Sequence, residues 1–305
     1  MAKFLRPFSP ILSFCFISLF SPVFPTTFTI VNECSDTIWP GILSNAGAPV
    51  PETTGFSLGN GQSRAIALPA GWSGRLWGRT GCSPDATTGR FTCDSGDCGS
   101  AAEECNGNGA QPPATLAEFT LNGSDGLDFF DVSLVDGYNL PMLVAPTGGA
   151  QGHPNCTEIG CAVDMDRVCP AELRLLDGRR KVVGCKSACF AFGTPEYCCS
   201  GSYATPDTCR PSNYAVNFKS ACPRAYSYAY DDSTSTFTCA SADYVITFCP
   251  TSSPATSQRT SGGHPTSPSS GGGVSAIGFY HQQIFALFIT ITILALPAFE
   301  SMWLP

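Results

Sequence analysis

Residues 129–135 read Phe129-Phe130-Asp131-Val132-Ser133-Leu134-Val135. Phe130, Val132 and Leu134 fall on one face of an extended chain, and Asp131 and Ser133 fall on the other. That alternation predicts a half-buried strand with one carboxylate on its polar side. Outward from it, Thr27-Phe-Thr-Ile-Val31, Arg75-Leu-Trp-Gly-Arg79 and Tyr244-Val-Ile-Thr-Phe248 alternate in the same way, and Leu116–Leu121 carries Glu118 in a further strand. Turn dipeptides punctuate these runs at Asn60-Gly61, Asn122-Gly123 and Asp136-Gly137. Many short strands with frequent turns predict a mainly β fold, an antiparallel sandwich.

Composition narrows the function. The chain has 305 residues, 13% charged and 43% apolar, with a net charge of −8. Enough apolar surface is present for a packed core, so this is no solvated, disordered chain. The acidic balance argues against nucleic acid, whose phosphates require Lys/Arg stripes, and against electrostatic docking on anionic lipid. Cysteine is abundant, at 17 residues. Nine fall between 156 and 222, around one helical window, Cys185–Phe192, in which Cys185 and Cys189 at i and i+4 would leave one helix face. No C-x2-C knuckle occurs and histidine partners are lacking, so disulfides are expected rather than zinc, and no metal or cofactor is expected.

The two ends read as targeting segments. Lys3 and Arg6 precede an apolar run from Ile11 to Phe20, the layout of a signal peptide over residues 1–25. Its removal takes Cys15 and leaves an even 16 cysteines. Residues 251–273 are rich in Ser, Thr, Pro and Gly and read as a stalk. Residues 274–305 then supply a polar spacer and the apolar run Ile284–Pro297. Small residues upstream, with Ser270 or Gly271 as the attachment point, complete the pattern of a GPI-attachment signal. The competing reading is a single spanning helix. Against it, 14 residues reach only about 21 Å as helix, short of a bilayer core of about 30 Å, and no Lys or Arg follows. The expected location is the outer face of the plasma membrane through a lipid anchor, with single-pass insertion or a free apoplastic protein as alternatives.

At Gly89-Arg-Phe-Thr-Cys-Asp-Ser-Gly-Asp-Cys98 the chain resembles the signature of thaumatin-like proteins, the plant pathogenesis-related group 5 family, with Ser95 where Thr is usual. Trp77-Gly-Arg-Thr80, Pro112–Phe119, Asp131–Met142, Glu196-Tyr-Cys-Cys199, Ala225-Tyr-Ser-Tyr228 and Phe248-Cys-Pro250 extend the match over residues 26–250. The resemblance implies eight bridges: Cys34–Cys249, Cys82–Cys93, Cys98–Cys105, Cys156–Cys239, Cys161–Cys222, Cys169–Cys185, Cys189–Cys198 and Cys199–Cys209. It also implies a sandwich flanked by a disulfide-rich lobe at about 163–222 and a cross-linked hairpin lobe at about 80–111.

The resemblance further implies an acidic cleft between sandwich and disulfide-rich lobe, formed by Arg75, Glu118, Asp131, Asp136 and Asp231, with Asp232 next in line. The residues support part of this unaided, because carboxylates on neighbouring strands meet across a sheet and repel, which raises at least one pKa. Plainer readings stay open: Asp136-Gly137 as a turn, Arg75 as an ion-pair partner, Asp231-Asp232 as a solvated turn. Phe129, Phe130, Tyr138, Tyr226, Tyr228 and Tyr230 are candidate sugar platforms. The implied function is a secreted defence protein, antifungal, monomeric and bound to cell-wall polysaccharide, β-1,3-glucan above others. One alternative is a weak endo-β-1,3-glucanase with Glu118 as acid and Asp136 as second carboxylate. Another is a surface or stress protein with an incidental cleft. Asn122-Gly-Ser and Asn155-Cys-Thr are glycosylation sequons.

Overall fold

The computed structural model describes residues 25–149 and 155–251. Their strands are β1 (Thr26–Asn32), β2 (Trp39–Ser44), β3 (Ser63–Leu68), β4 (Ser73–Arg79), β5 (Ser83–Pro84), β6 (Phe91–Thr92) and β7 (Leu116–Thr120). β8 (Asp128–Ser133), β9 (Met142–Gly148), β10 (Ile159–Cys161), β11 (Arg174–Leu176), β12 (Val182–Cys185), β13 (Phe237–Cys239) and β14 (Ala242–Phe248) follow. One five-stranded sheet runs β10-β9-β14-β1-β3 and the other β13-β8-β7-β4-β2. Pairing is antiparallel throughout except between β1 and β14, the first and last strands, which run parallel.

The alternation along each strand decides what lies between the sheets. Phe28, Ile30, Tyr244, Ile246 and Phe248 come from the first sheet, and Leu76, Phe119, Phe130 and Val132 from the second; all are buried. Phe119 and Phe130 stack at 6.2 Å, and the other ring pairs meet edge to face or tilted. The Phe28–Phe119 centroids are 4.4 Å apart, and Tyr244 lies 5.1 Å from Phe119 and 5.2 Å from Phe130. Because the side-chain period is two, Arg75, Glu118 and Asp131 must then point away from this core. The strand expected at 129–135 runs from Asp128 to Ser133, and the chain turns through Leu134–Gly137, where Gly137 N–H donates to the Leu134 carbonyl.

Two smaller lobes are fastened to the sandwich. The β5–β6 hairpin belongs to a segment held through Arg79, which is 1% exposed. Its guanidinium donates to the carbonyls of Trp39, Pro40 and Glu103. Glu104 adds a clamp from the other side, accepting from Thr53 Oγ1 and from both N–H and Oγ1 of Thr54. The second lobe carries the β11–β12 hairpin and helices α1 (Ala188–Phe192), α2 (Pro195–Cys198) and α3 (Asn213–Ala221); a short α4 (Asp232–Ser235) lies beyond it.

The helix expected over Cys185–Phe192 needs correction. Cys185 ends β12 and exchanges both backbone hydrogen bonds with Tyr138, so its peptide groups are spent on a sheet-like pairing. The helix starts three residues later, at Ala188, because Ser187 caps it, its hydroxyl accepting from the Phe190 N–H. Cys185 and Cys189 therefore share no helix face. The longest helix among the described residues, α3, lies elsewhere, capped by Ser212. Disulfides join Cys34–Cys249, Cys82–Cys93, Cys98–Cys105, Cys156–Cys239, Cys161–Cys222, Cys169–Cys185, Cys189–Cys198 and Cys199–Cys209.

Candidate functional site

Register builds the site. Arg75 on β4 stands opposite Glu118 on β7, and Glu118 stands opposite Asp131 on β8. The three form a row across the outer face of the second sheet, since directly opposed residues of antiparallel strands put their side chains about 5 Å apart. Arg75 Nη2 lies 3.6 Å from Glu118 Oε1, with the two side chains 35% and 33% exposed. The row is thus the floor of an open groove and not a sealed cavity. Trp77 and Leu116, one step along the same face, are buried with Cys98, Cys105 and Ala114 and close one end. Gly41 permits this, because a Cβ there would sit 2.5 Å from the Trp77 ring.

Two atoms in the row are left over. Asp131 Oδ1 and Arg75 Nε are buried and have no hydrogen-bond partner among the described residues. Burial pushes the Asp131 carboxyl well above its ordinary range; Glu118 adds to the rise, Arg75 offsets part of it, and Asp232 adds a little more. Burial also raises Glu118, with Arg75 pulling it back and Asp136 pushing it up. Asp136 is raised by burial and held down in part by Arg75. So Glu118, Asp131 and Asp136, each acted on by the charge of Arg75, hold their protons more tightly than free carboxyls do.

Asp231 is not in this row. It is 8% exposed and its carboxylate is consumed locally. Oδ2 pairs with Lys219 Nζ at 2.9 Å and accepts from the N–H and Oγ of Ser227, while Oδ1 accepts from Thr234. The carboxylate that reaches Asp131 is its exposed neighbour Asp232, which accepts from the Tyr226 hydroxyl at 2.9 Å. Lys219, supplied by the last turn of α3, makes the choice between the two. Asp231→Asn is accordingly expected to lower stability by about 2–4 kcal/mol, because it strands a half-buried ammonium, with ligand affinity unchanged. A thermal or urea unfolding shift checks the first part; a loss of affinity without that shift would return Asp231 to the groove.

Beside Asp136 the groove opens into a pocket of about 170 Å³. The sandwich contributes Val135, Asp136 and Tyr228, and the disulfide-rich lobe contributes Phe190, Tyr197 and Tyr214. Gly137 makes the close approach possible: φ is +92°, and a Cβ would stand 2.6 Å from the Cys185 carbonyl oxygen. Among the candidate platforms, Phe130 and Tyr138 are buried core residues at 1% exposure. Phe129, Tyr226, Tyr228 and Tyr230 are half-buried, and Tyr228 faces the pocket. Asn122 and Asn155 are exposed. The signal segment before residue 25, the stalk beyond residue 251, the spacer and the attachment residues Ser270 and Gly271 lie outside the described residues.

Comparison with known proteins follows the same outline. The model of the Thaumatin family matches residues 32–250. "Thaumatin-like protein 1" of Arabidopsis thaliana is 59% identical over 229 residues, covering 73% of this chain and 86% of the relative. "Thaumatin-like protein 1" of Pyrus pyrifolia is 51% identical over 77% of this chain and 95% of its own. A Prunus avium relative named "Glucan endo-1,3-beta-glucosidase" is 50% identical over 73% of this chain and 90% of its own. With the family model matched over residues 32–250, the chain belongs to the Thaumatin family.

Proposed function

We propose that the chain is a defence protein of the cell exterior that binds wall polysaccharide, β-1,3-glucan, in the groove floored by Arg75, Glu118 and Asp131. The observation that carries this reading is the pair of stranded polar atoms, Asp131 Oδ1 and Arg75 Nε. A sugar hydroxyl is both donor and acceptor, so neighbouring hydroxyls of one chain could satisfy an unpaired carboxylate oxygen and an unpaired guanidinium N–H together. Half-buried Tyr228 and the pocket rings would take the apolar ring faces. The amino-terminal signal pattern and the carboxy-terminal anchor pattern support placement on the outer membrane face.

A second reading has its own support. Glu118 retains its proton above the usual carboxylate range and interacts with Asp136, and a raised acid beside a second carboxylate is what glycoside hydrolysis needs. The relative named as a glucan endo-1,3-beta-glucosidase favours the same chemistry. Glu118→Gln separates the two. In a laminari-oligosaccharide titration with product analysis, binding alone predicts no product from either protein and an affinity about tenfold or more weaker in the variant, the loss of one charge-assisted hydrogen bond. Hydrolysis predicts product from the wild type and a rate roughly 10²–10⁴-fold lower in the variant. A wild type that neither binds nor cleaves overturns both.

A further inference from the structure

Charge is unevenly divided over the molecule. Residues 25–149 hold thirteen carboxylates against four cations. Residues 167–186 reverse the balance, with Arg167, Arg174, Arg179, Arg180, Lys181 and Lys186 against Glu172 and Asp177. This segment is the β11–β12 hairpin and its flanks, and at the tip Arg179, Arg180 and Lys181 are consecutive and exposed. No carboxylate of the described residues lies within 4.0 Å of any of the three. Arg167 differs, being paired with Asp164, and Arg174 Nε donates to the Cys169 carbonyl.

The tip is built in advance of any partner. Asp177 Oδ1 accepts from the N–H groups of Arg179 at 2.9 Å and Lys181 at 2.8 Å. Asp177 N–H donates to the Lys181 carbonyl, and Arg180 N–H donates to the Asp177 carbonyl. The one acid of the turn is therefore turned onto its backbone. Arg180 takes φ +65°, a conformation that a non-glycine residue adopts only where its surroundings impose it. Three cations displayed on a fixed turn bind without the ordering cost that a flexible tail would pay.

We propose that this hairpin is a docking surface for an acidic polysaccharide, a polyuronate chain whose carboxylates pair with Arg179, Arg180 and Lys181. Guanidinium forks match carboxylates with two parallel hydrogen bonds. Partner shape follows from the rest of the molecule. A bilayer or a duplex presents a broad anionic surface that would also face the acidic body, whereas a thin chain can touch the tip alone; screening over about 8 Å at physiological salt confines the repulsion to such broad contacts. Single-stranded nucleic acid relies on stacking platforms, and Leu176–Val182 contains no aromatic residue. The surface is separate from the acidic groove and does not depend on the glucan reading.

The test is a titration of the full-length protein with de-esterified polygalacturonate over a salt series, beside the triple variant R179Q/R180Q/K181Q and the control R90Q. Arg90 is an exposed cation on the other lobe, also without an ion pair among the described residues. The expected result is affinity more than tenfold weaker in the triple variant, a log K against log salt slope smaller by about 2, and R90Q equal to the wild type. Fully methyl-esterified chain should not bind. Equal affinity of the triple variant, equal binding of the esterified chain, or tighter binding of phosphatidylserine vesicles or single-stranded DNA at the same salt would each overturn the proposal. Laminari-oligosaccharide affinity of the triple variant should match the wild type, which keeps this outcome distinct from that of the groove.

Discussion

Arg79→Ala is expected to lower the free energy of unfolding by about 3–5 kcal/mol, the scale reached when one partner of a buried charged network is removed. The side chain is 1% exposed, and burial lowers its pKa although Asp97, Glu103 and Glu104 work to hold the charge. Its donors serve two carbonyls of β2 and one of Glu103, and the guanidinium lies 5.8 Å from the Phe91 ring. Truncation takes the donor from the partly buried Trp39 and Glu103 carbonyls, leaves the Pro40 carbonyl only its bond from the Phe56 N–H, opens a cavity and loosens the hairpin lobe from the sandwich in one step. Lysine keeps the charge but cannot fork to three acceptors, so Arg79→Lys should fall between alanine and wild type. Urea unfolding with all disulfides oxidised checks both. An alanine variant within about 1 kcal/mol of wild type would mean that water replaces the guanidinium, and the fastening role would be wrong.

Nothing in the sequence marks Arg79 for this role beyond its place in Trp77-Gly-Arg-Thr80, because its partners are backbone carbonyls, which every residue has. Where partners are short-range, the sequence is more readable. Alternation alone places Phe130 and Val132 inward and Asp131 outward, since the period of a strand is a property of the chain itself. The same alternation places Glu118 on an outward position, and register then makes it Asp131's neighbour. Long-range partners decide the remainder. Asp231 and Asp232 are chemically equal in sequence; Lys219 on α3 captures one and leaves the other to the Tyr226 hydroxyl. Cys185 and Cys189 have helical spacing, yet Tyr138, distant in sequence, takes the backbone of Cys185 into a pairing. Glu104 looks like a solvated turn acid until Thr53 and Thr54 arrive from another loop.

Asp131→Asn should move stability and binding in opposite directions. The Asp131 carboxyl is raised in the folded protein, chiefly by burial and next by Glu118. A raised acid binds its proton more tightly folded than unfolded, so its contribution to stability is complete below the unfolded value of about 3.9 and is lost as pH rises through the folded value. Asparagine keeps the shape and removes the charge. The variant should therefore melt higher than the wild type at neutral pH, by roughly 2–4 °C for each kcal/mol gained in a domain of this size, and the two should converge near pH 3. Affinity for laminari-oligosaccharide should fall by about tenfold or more, since a charged acceptor is worth more to a hydroxyl than a neutral amide oxygen. A variant less stable than wild type at neutral pH would show that Asp131 Oδ1 is satisfied within the protein, and the groove would lose its strongest claim to a ligand. The two shifts together carry the inference, because a carboxylate that folding would do better without is retained for what it binds.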